Sequence, residues 1–72
     1  MPPDQFRDWL FSRKGPRSVV YYKGFLLLDR LKDREVDRFA SFVWKARLRD
    51  MCYLVQRKLG PGVYEYLAVK RR

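Results

Sequence analysis

Residues 25–50 read FLLLDRLKDREVDRFASFVWKARLRD, and the fold turns on how many helices this stretch makes. Its second part, residues 34–50, carries helical periodicity. At 100° per residue, Val36, Phe39, Ala40, Val43 and Met51 share one side, with Trp44 at its margin. Arg34, Arg38, Ser41, Lys45 and Arg49 fall on the opposite side, within a wedge of about 80°. Asp33 suits the N-cap, and Glu35 and Asp37 put negative charge in the first turn. Residues 25–32 are too few for periodicity to separate a short helix from an extended segment, and a short helix is the reading adopted. Two positions depart from the pattern. Arg47 falls about 20° from Val36, near the centre of the apolar side, so the helix is expected to end near Ala46 in preference to Arg47 pairing with a buried acid. Phe42 is the converse, a bulky apolar group on the charged side that would pack against residues 25–32 or sit at a dimer contact.

Towards the N-terminus, residues 1–14 predict a first helix. Pro2 and Pro3 suit its entry, and Phe6, Trp9 and Leu10 make the i, i+3, i+4 apolar contact. Arg13 and Lys14 fall in the expected last turn, and Gly15-Pro16 stops the helix. SVVYYK, residues 18–23, is β-branched and aromatic and reads as a strand ending at Gly24. Adjacent residues of a strand point to opposite faces, so one of Tyr21 and Tyr22 is expected outside.

Towards the C-terminus, CYLVQRKL, GPG and VYEYLAVKRR form a hairpin signal. With a three-residue loop Gly60-Pro61-Gly62, Leu59 faces Val63, Arg57 faces Glu65, Val55 faces Leu67 and Tyr53 faces Val69. This face of apolar pairs is expected to be the core side. Lys58 with Tyr64, Gln56 with Tyr66 and Cys52 with Lys70 make the other. A two-residue loop would flip the pairing. Lys70-Arg71-Arg72 reads as a tail.

Seventy-two residues make a single domain, and 47 % apolar with 17 % aromatic content supplies core enough for a monomer or a homodimer. Trp9 and Trp44 are read as core, and Tyr64 and Tyr66 as packing residues. The net charge is +9, and eleven of the 17 basic residues are arginine. Part of that bias is compositional, since the chain also lacks Ile, Asn, Thr and His. The charge itself favours an acidic partner: nucleic acid first, then an anionic membrane surface, then an acidic protein. The lone Cys52 leaves no internal disulfide and no zinc cluster. Apolar runs such as Phe25-Leu26-Leu27-Leu28 fall far below the ~18 residues that span a bilayer, and MPPDQFRDW lacks the order of a signal peptide. The chain is expected to be soluble and cytoplasmic, with no membrane partner.

On an ordinary solvated helix face, acids and bases alternate. Here Arg34 with Arg38, and Lys45 with Arg49, are like charges at i, i+4, each repulsion costing a few tenths of a kcal/mol in an isolated helix. A phosphate backbone explains such a stripe better than water does. Catalysis finds no material: there is no His for general base work and no glycine-rich phosphate loop. Asp29, Asp33, Glu35 and Asp37 read as caps and charge balance. A binding protein with no cofactor and no metal is expected.

The order helix, strand, short helix, helix, strand, turn, strand resembles the winged helix-turn-helix fold over nearly the whole chain. The resemblance implies an α+β domain, α-β-(α)-α-β-β, with a C-terminal hairpin wing. It implies that residues 34–50 enter a DNA major groove, with Gly60-Pro61-Gly62 as the wing tip and Arg57 and Lys58 as wing cations. The expectation is a small DNA-binding regulator or DNA-associated accessory factor that prefers duplex. Its contacts would be Arg34, Arg38, Ser41, Lys45 and Arg49, with Arg57, Lys58, Lys70, Arg71 and Arg72 on the backbone. The alternatives are an adaptor or inhibitor docking onto an acidic protein, and RNA or single-strand binding through Tyr64 and Tyr66.

Overall fold

Phe6 has no exposed surface, and the layers of the molecule meet around it. Its ring lies 5.5 Å from Trp9, 5.9 Å from Tyr21, 5.8 Å from Phe39 and 6.0 Å from Phe42, centroid to centroid. The computed structural model describes residues 1–71. It is an α+β fold with elements α1 (Pro3–Phe11), β1 (Ser18–Gly24), α2 (Leu26–Lys32), α3 (Arg34–Leu48), β2 (Cys52–Gly60) and β3 (Val63–Lys70). The three strands form one antiparallel sheet in the order β1-β3-β2. The helices cover one of its faces, and Val43, Cys52 and Ala68 complete the buried centre.

α1 is shorter than expected. Ser12 turns extended, and its hydroxyl bonds both the carbonyl (2.9 Å) and the amide (3.1 Å) of Lys14. That local turn competes with another helical turn, so Arg13 and Lys14 lie beyond the helix rather than in its last turn. Trp9 is core as expected, 7 % exposed, with its indole N–H donating to the carbonyl of Pro16 at 2.7 Å.

β1 corrects the expectation for the paired tyrosines. The β1–β3 register slips between Val20 and Tyr22, and this bulge resets the alternation. Tyr21 is buried, and Tyr22 also packs against the core cluster.

Residues 26–32 are helical, and long-range bonds explain why. The Tyr66 hydroxyl accepts from the Leu26 amide at 3.0 Å, and the Tyr22 hydroxyl donates to Asp29 at 2.6 Å. Gly24 makes room for this clasp. Its φ is +143°, and a Cβ there would stand 2.9 Å from Asp29 Oδ2. Asp33 alone separates α2 from α3: its amide donates to the carbonyl of Asp29 at 2.9 Å, and its carboxylate caps the next helix.

The hairpin register matches the expectation from Lys58↔Tyr64 to Cys52↔Lys70. The tip differs: Gly60, not Leu59, pairs with Val63, so Pro61-Gly62 is the turn and Leu59 the extra residue of a bulge. The core side also differs. Cys52, Tyr66 and Ala68 are buried, with Leu54 and Tyr64 packed against them. Tyr53 and Val55, expected inside, are 50 % and 49 % exposed. Both faces of the hairpin are apolar enough to serve as core, and the helices sit on the tyrosine side.

Candidate nucleic-acid interface

α3 forms where its caps and its apolar stripe agree. Asp33 Oδ1 accepts from the amides of Glu35 (2.9 Å) and Val36 (3.4 Å), while Glu35 and Asp37 oppose the positive helix end. Phe39, Ala40, Val43 and Ala46 are buried. The helix runs on to Leu48, past the expected end near Ala46. Arg47 stays in water there, its guanidinium 5.3 Å from the Trp44 ring centroid. Asp50, at φ 60°, then turns the chain into β2.

On the outer side, Arg34, Arg38, Lys45 and Arg49 are all exposed. Fifteen residues at 1.5 Å each make this row about 22 Å long. The four ion pairs among the described residues involve other cations, so no acid neutralises the row. Its like charges repel one another in the free protein and would be relieved by a polyanion.

Ser41 belongs to a different arrangement. It is half-buried and accepts from Arg30 Nη2 at 3.3 Å, while Arg30 Nε donates to Asp37 at 2.8 Å. Arg30 thereby clasps α2 to α3. Periodicity within one element does not reveal it, because its acid lies on another.

The remaining candidates do not gather with the row. Arg57 is bound by Glu65, Nε to Oε1 at 3.0 Å and Nη2 to the same oxygen. Lys58 is exposed on the opposite face of the strand, across from Tyr64. Lys70 stands at the other end of the hairpin, about 20 Å away at strand rise. Its ammonium donates to the carbonyls of Ser12 (2.6 Å) and Lys14 (3.4 Å) and lies 5.2 Å from the Trp9 ring centroid. Arg71 stacks over Tyr53 at 4.6 Å and stands 3.7 Å from Asp50. Lys70 thus links the end of β3 to the segment after α1, and Arg71 lies against the start of β2. Arg72 lies outside the described residues.

Trp44 corrects its expectation: it is 50 % exposed rather than core. The available signal was its place at the margin of the apolar side, three residues before Arg47, the spacing of a cation stacked on a ring. Tyr64 and Tyr66 face inward, with ring centroids 6.1 Å apart, and Tyr66 is buried. Burial pushes up the pKa of the Cys52 thiol, so it holds little of the reactive thiolate. Among the described residues, no helix is long and apolar enough to cross a membrane. Comparison with protein-family models, curated proteins and solved structures returns no match.

Proposed function

We propose that the chain is a small winged-helix-like DNA-binding protein, a transcriptional regulator or DNA-associated accessory factor that makes no chemistry of its own. The observation that carries the reading is the row Arg34, Arg38, Lys45 and Arg49, solvent-facing and without an acidic partner among the described residues. The element order is the one the resemblance rests on, and this reading assigns α3 the role of the groove-entering helix. The link between α2 and α3 is tighter than the usual 3–4-residue turn, because Asp33 closes one helix and caps the next. Lys58 is a further backbone cation. Arg57, Lys70 and Arg71 contribute charge while tied within the fold.

The test is fluorescence anisotropy against labelled duplex, single strand and RNA over a salt series. If four to five phosphates are neutralised, log K should fall against log[salt] with a slope of about −4 and a preference for duplex. A slope near zero on all three nucleic acids would remove the reading.

One observation favours a second reading, docking onto an acidic protein. Trp44 and Leu48 are 50 % and 58 % exposed on the helix that carries the cations, and such mixed surfaces suit protein partners. A stoichiometric partner retained after nuclease treatment would select it. The single-strand alternative loses its platform, because Tyr64 and Tyr66 pack against the core.

A further inference from the structure

Hydrogen bonds fasten the segment between α1 and β1, residues 12–17, along its length. The Trp9 indole N–H donates to the carbonyl of Pro16 at 2.7 Å, and the Lys70 amide donates to the carbonyl of Arg17 at 2.8 Å. The Lys70 ammonium holds the carbonyls of Ser12 and Lys14. With its backbone fixed in this way, the segment leaves Arg13, Lys14 and Arg17 exposed. None of the three forms an ion pair among the described residues. Asp8, one turn back on α1, forms none either, and Asp50 stands 3.7 Å from Arg71.

We propose, resting on the DNA-binding reading above, that residues 12–17 are a second phosphate-binding element, which grips the duplex backbone beside the Arg49 end of α3. Position supports this. Asp50 and Met51, which follow Arg49 directly, line one groove together with Ser12, Arg13, Lys70 and Arg71. The segment therefore lies next to the end of the α3 row. The hairpin tip leaves the role open, because Gly60-Pro61-Gly62 is uncharged and Arg57 is held by Glu65.

Chemistry selects a phosphate backbone. Residues 12–17 contain no large apolar side chain for a protein partner to bury, only cations on a fixed main chain. Like charges crowded beside the Lys70 ammonium repel one another in the free protein, and a polyanion relieves them. A backbone already tied down also loses little freedom on binding.

Fluorescence anisotropy of the full chain with labelled duplex over a salt series tests this. Three further phosphates, added to the four or five counted for α3 and Lys58, should steepen the slope of log K against log[salt] from about −4 to about −7. The triple variant Arg13→Gln, Lys14→Gln, Arg17→Gln should return it to about −4 while still binding at low salt through α3, with folding checked by thermal melts. Arg17 and Lys23 flank β1 about 20 Å apart, so Arg17→Gln and Lys23→Gln remove one charge each at opposite ends of one strand. Arg17→Gln should lower the steepness by about 0.9 and Lys23→Gln should leave it unchanged. On the unaltered chain, the amide signals of Arg13, Lys14 and Arg17 should shift as duplex is added. A triple variant that keeps the parent slope, while Arg38→Glu with Lys45→Glu abolishes binding, would overturn this element and leave α3 standing. Equal losses from Arg17→Gln and Lys23→Gln would overturn it too, since net charge would then act without a site. A parent that binds no nucleic acid would overturn it together with the reading it rests on.

Discussion

Tyr22 and Asp29 are seven residues apart, and their 2.6 Å hydrogen bond fixes the start of a helix that its own sequence leaves ambiguous. The bond joins a neutral phenol to a carboxylate, a pairing stronger than that of two neutral groups. Burial, followed by this bond, pushes the Tyr22 pKa up to about 12 from 10.0. Burial, followed by the nearby Tyr66 and Cys52, takes Tyr21 to about 12 as well. Both groups therefore hold their protons more tightly in the folded chain. Their contribution is complete below pH 10.0, the ordinary tyrosine value, and is lost as pH rises towards about 12. Thermal melts across that window should show a falling midpoint. Tyr22→Phe should start less stable at neutral pH by about 1–3 kcal/mol, from the lost bond and an unpaired Asp29. Above pH 10.0 it should then decline less steeply than the parent. Equal slopes in the two proteins would refute the linkage.

At the scale of elements, Asp33 acts in two helices. It ends α2 through its amide and begins α3 through its carboxylate. Asp33→Ala keeps the amide and removes the cap, so it should cost about 1 kcal/mol, with Asp33→Asn recovering most of it; a neutral Asp33→Ala would show that the cap is redundant. The cap was readable in the sequence because it is local. The hairpin register from Lys58 to Cys52 matched as well, although the turn is one residue shorter than expected: the bulge at Leu59 takes up the difference and keeps the same residues opposed. Which face met the helices was not readable: Tyr53 and Val55 on one side, and Leu54 and Tyr66 on the other, are equally suited to a core, and only the third dimension decides. The bulge at Tyr21 and Tyr22 was hidden for a related reason, because alternation by two cannot announce its own interruption. The helix over residues 26–32 depended on the Tyr66 hydroxyl, 40 residues away. Among the candidate contacts, the α3 row was readable from periodicity. That Arg57 would meet Glu65 was readable from pairing, but the carbonyls that occupy Lys70 belong to residues 12 and 14, far outside any local pattern.

Over the whole molecule, a net charge of +9 on 72 residues is a repulsive load that the folded state concentrates and the unfolded chain spreads out. The charge is also uneven. Asp37 and Glu65 sit beside Arg30 and Arg57, whereas the cations on the outer side of α3 meet no acid among the described residues. A row kept at the expense of stability should become more stable when its charge is reversed. Arg38→Glu together with Lys45→Glu lowers the net charge from +9 to +5 and creates attractive neighbours for Arg34 and Arg49. At low salt the melting midpoint of this variant should equal or exceed that of the parent. A gain of 0.5 kcal/mol would raise it by about 2–4 °C in a domain of this size. Added salt should raise the parent's midpoint more than the variant's, because the parent has more repulsion to screen. Duplex binding should disappear in the variant under the same conditions. A marked loss of stability would identify the row as a structural face, and binding retained with its salt slope unchanged would place the nucleic acid elsewhere on the protein. Stability held or gained while binding is lost is the combination that a surface shaped for a polyanion produces, because the repulsion it carries when free is what its partner relieves.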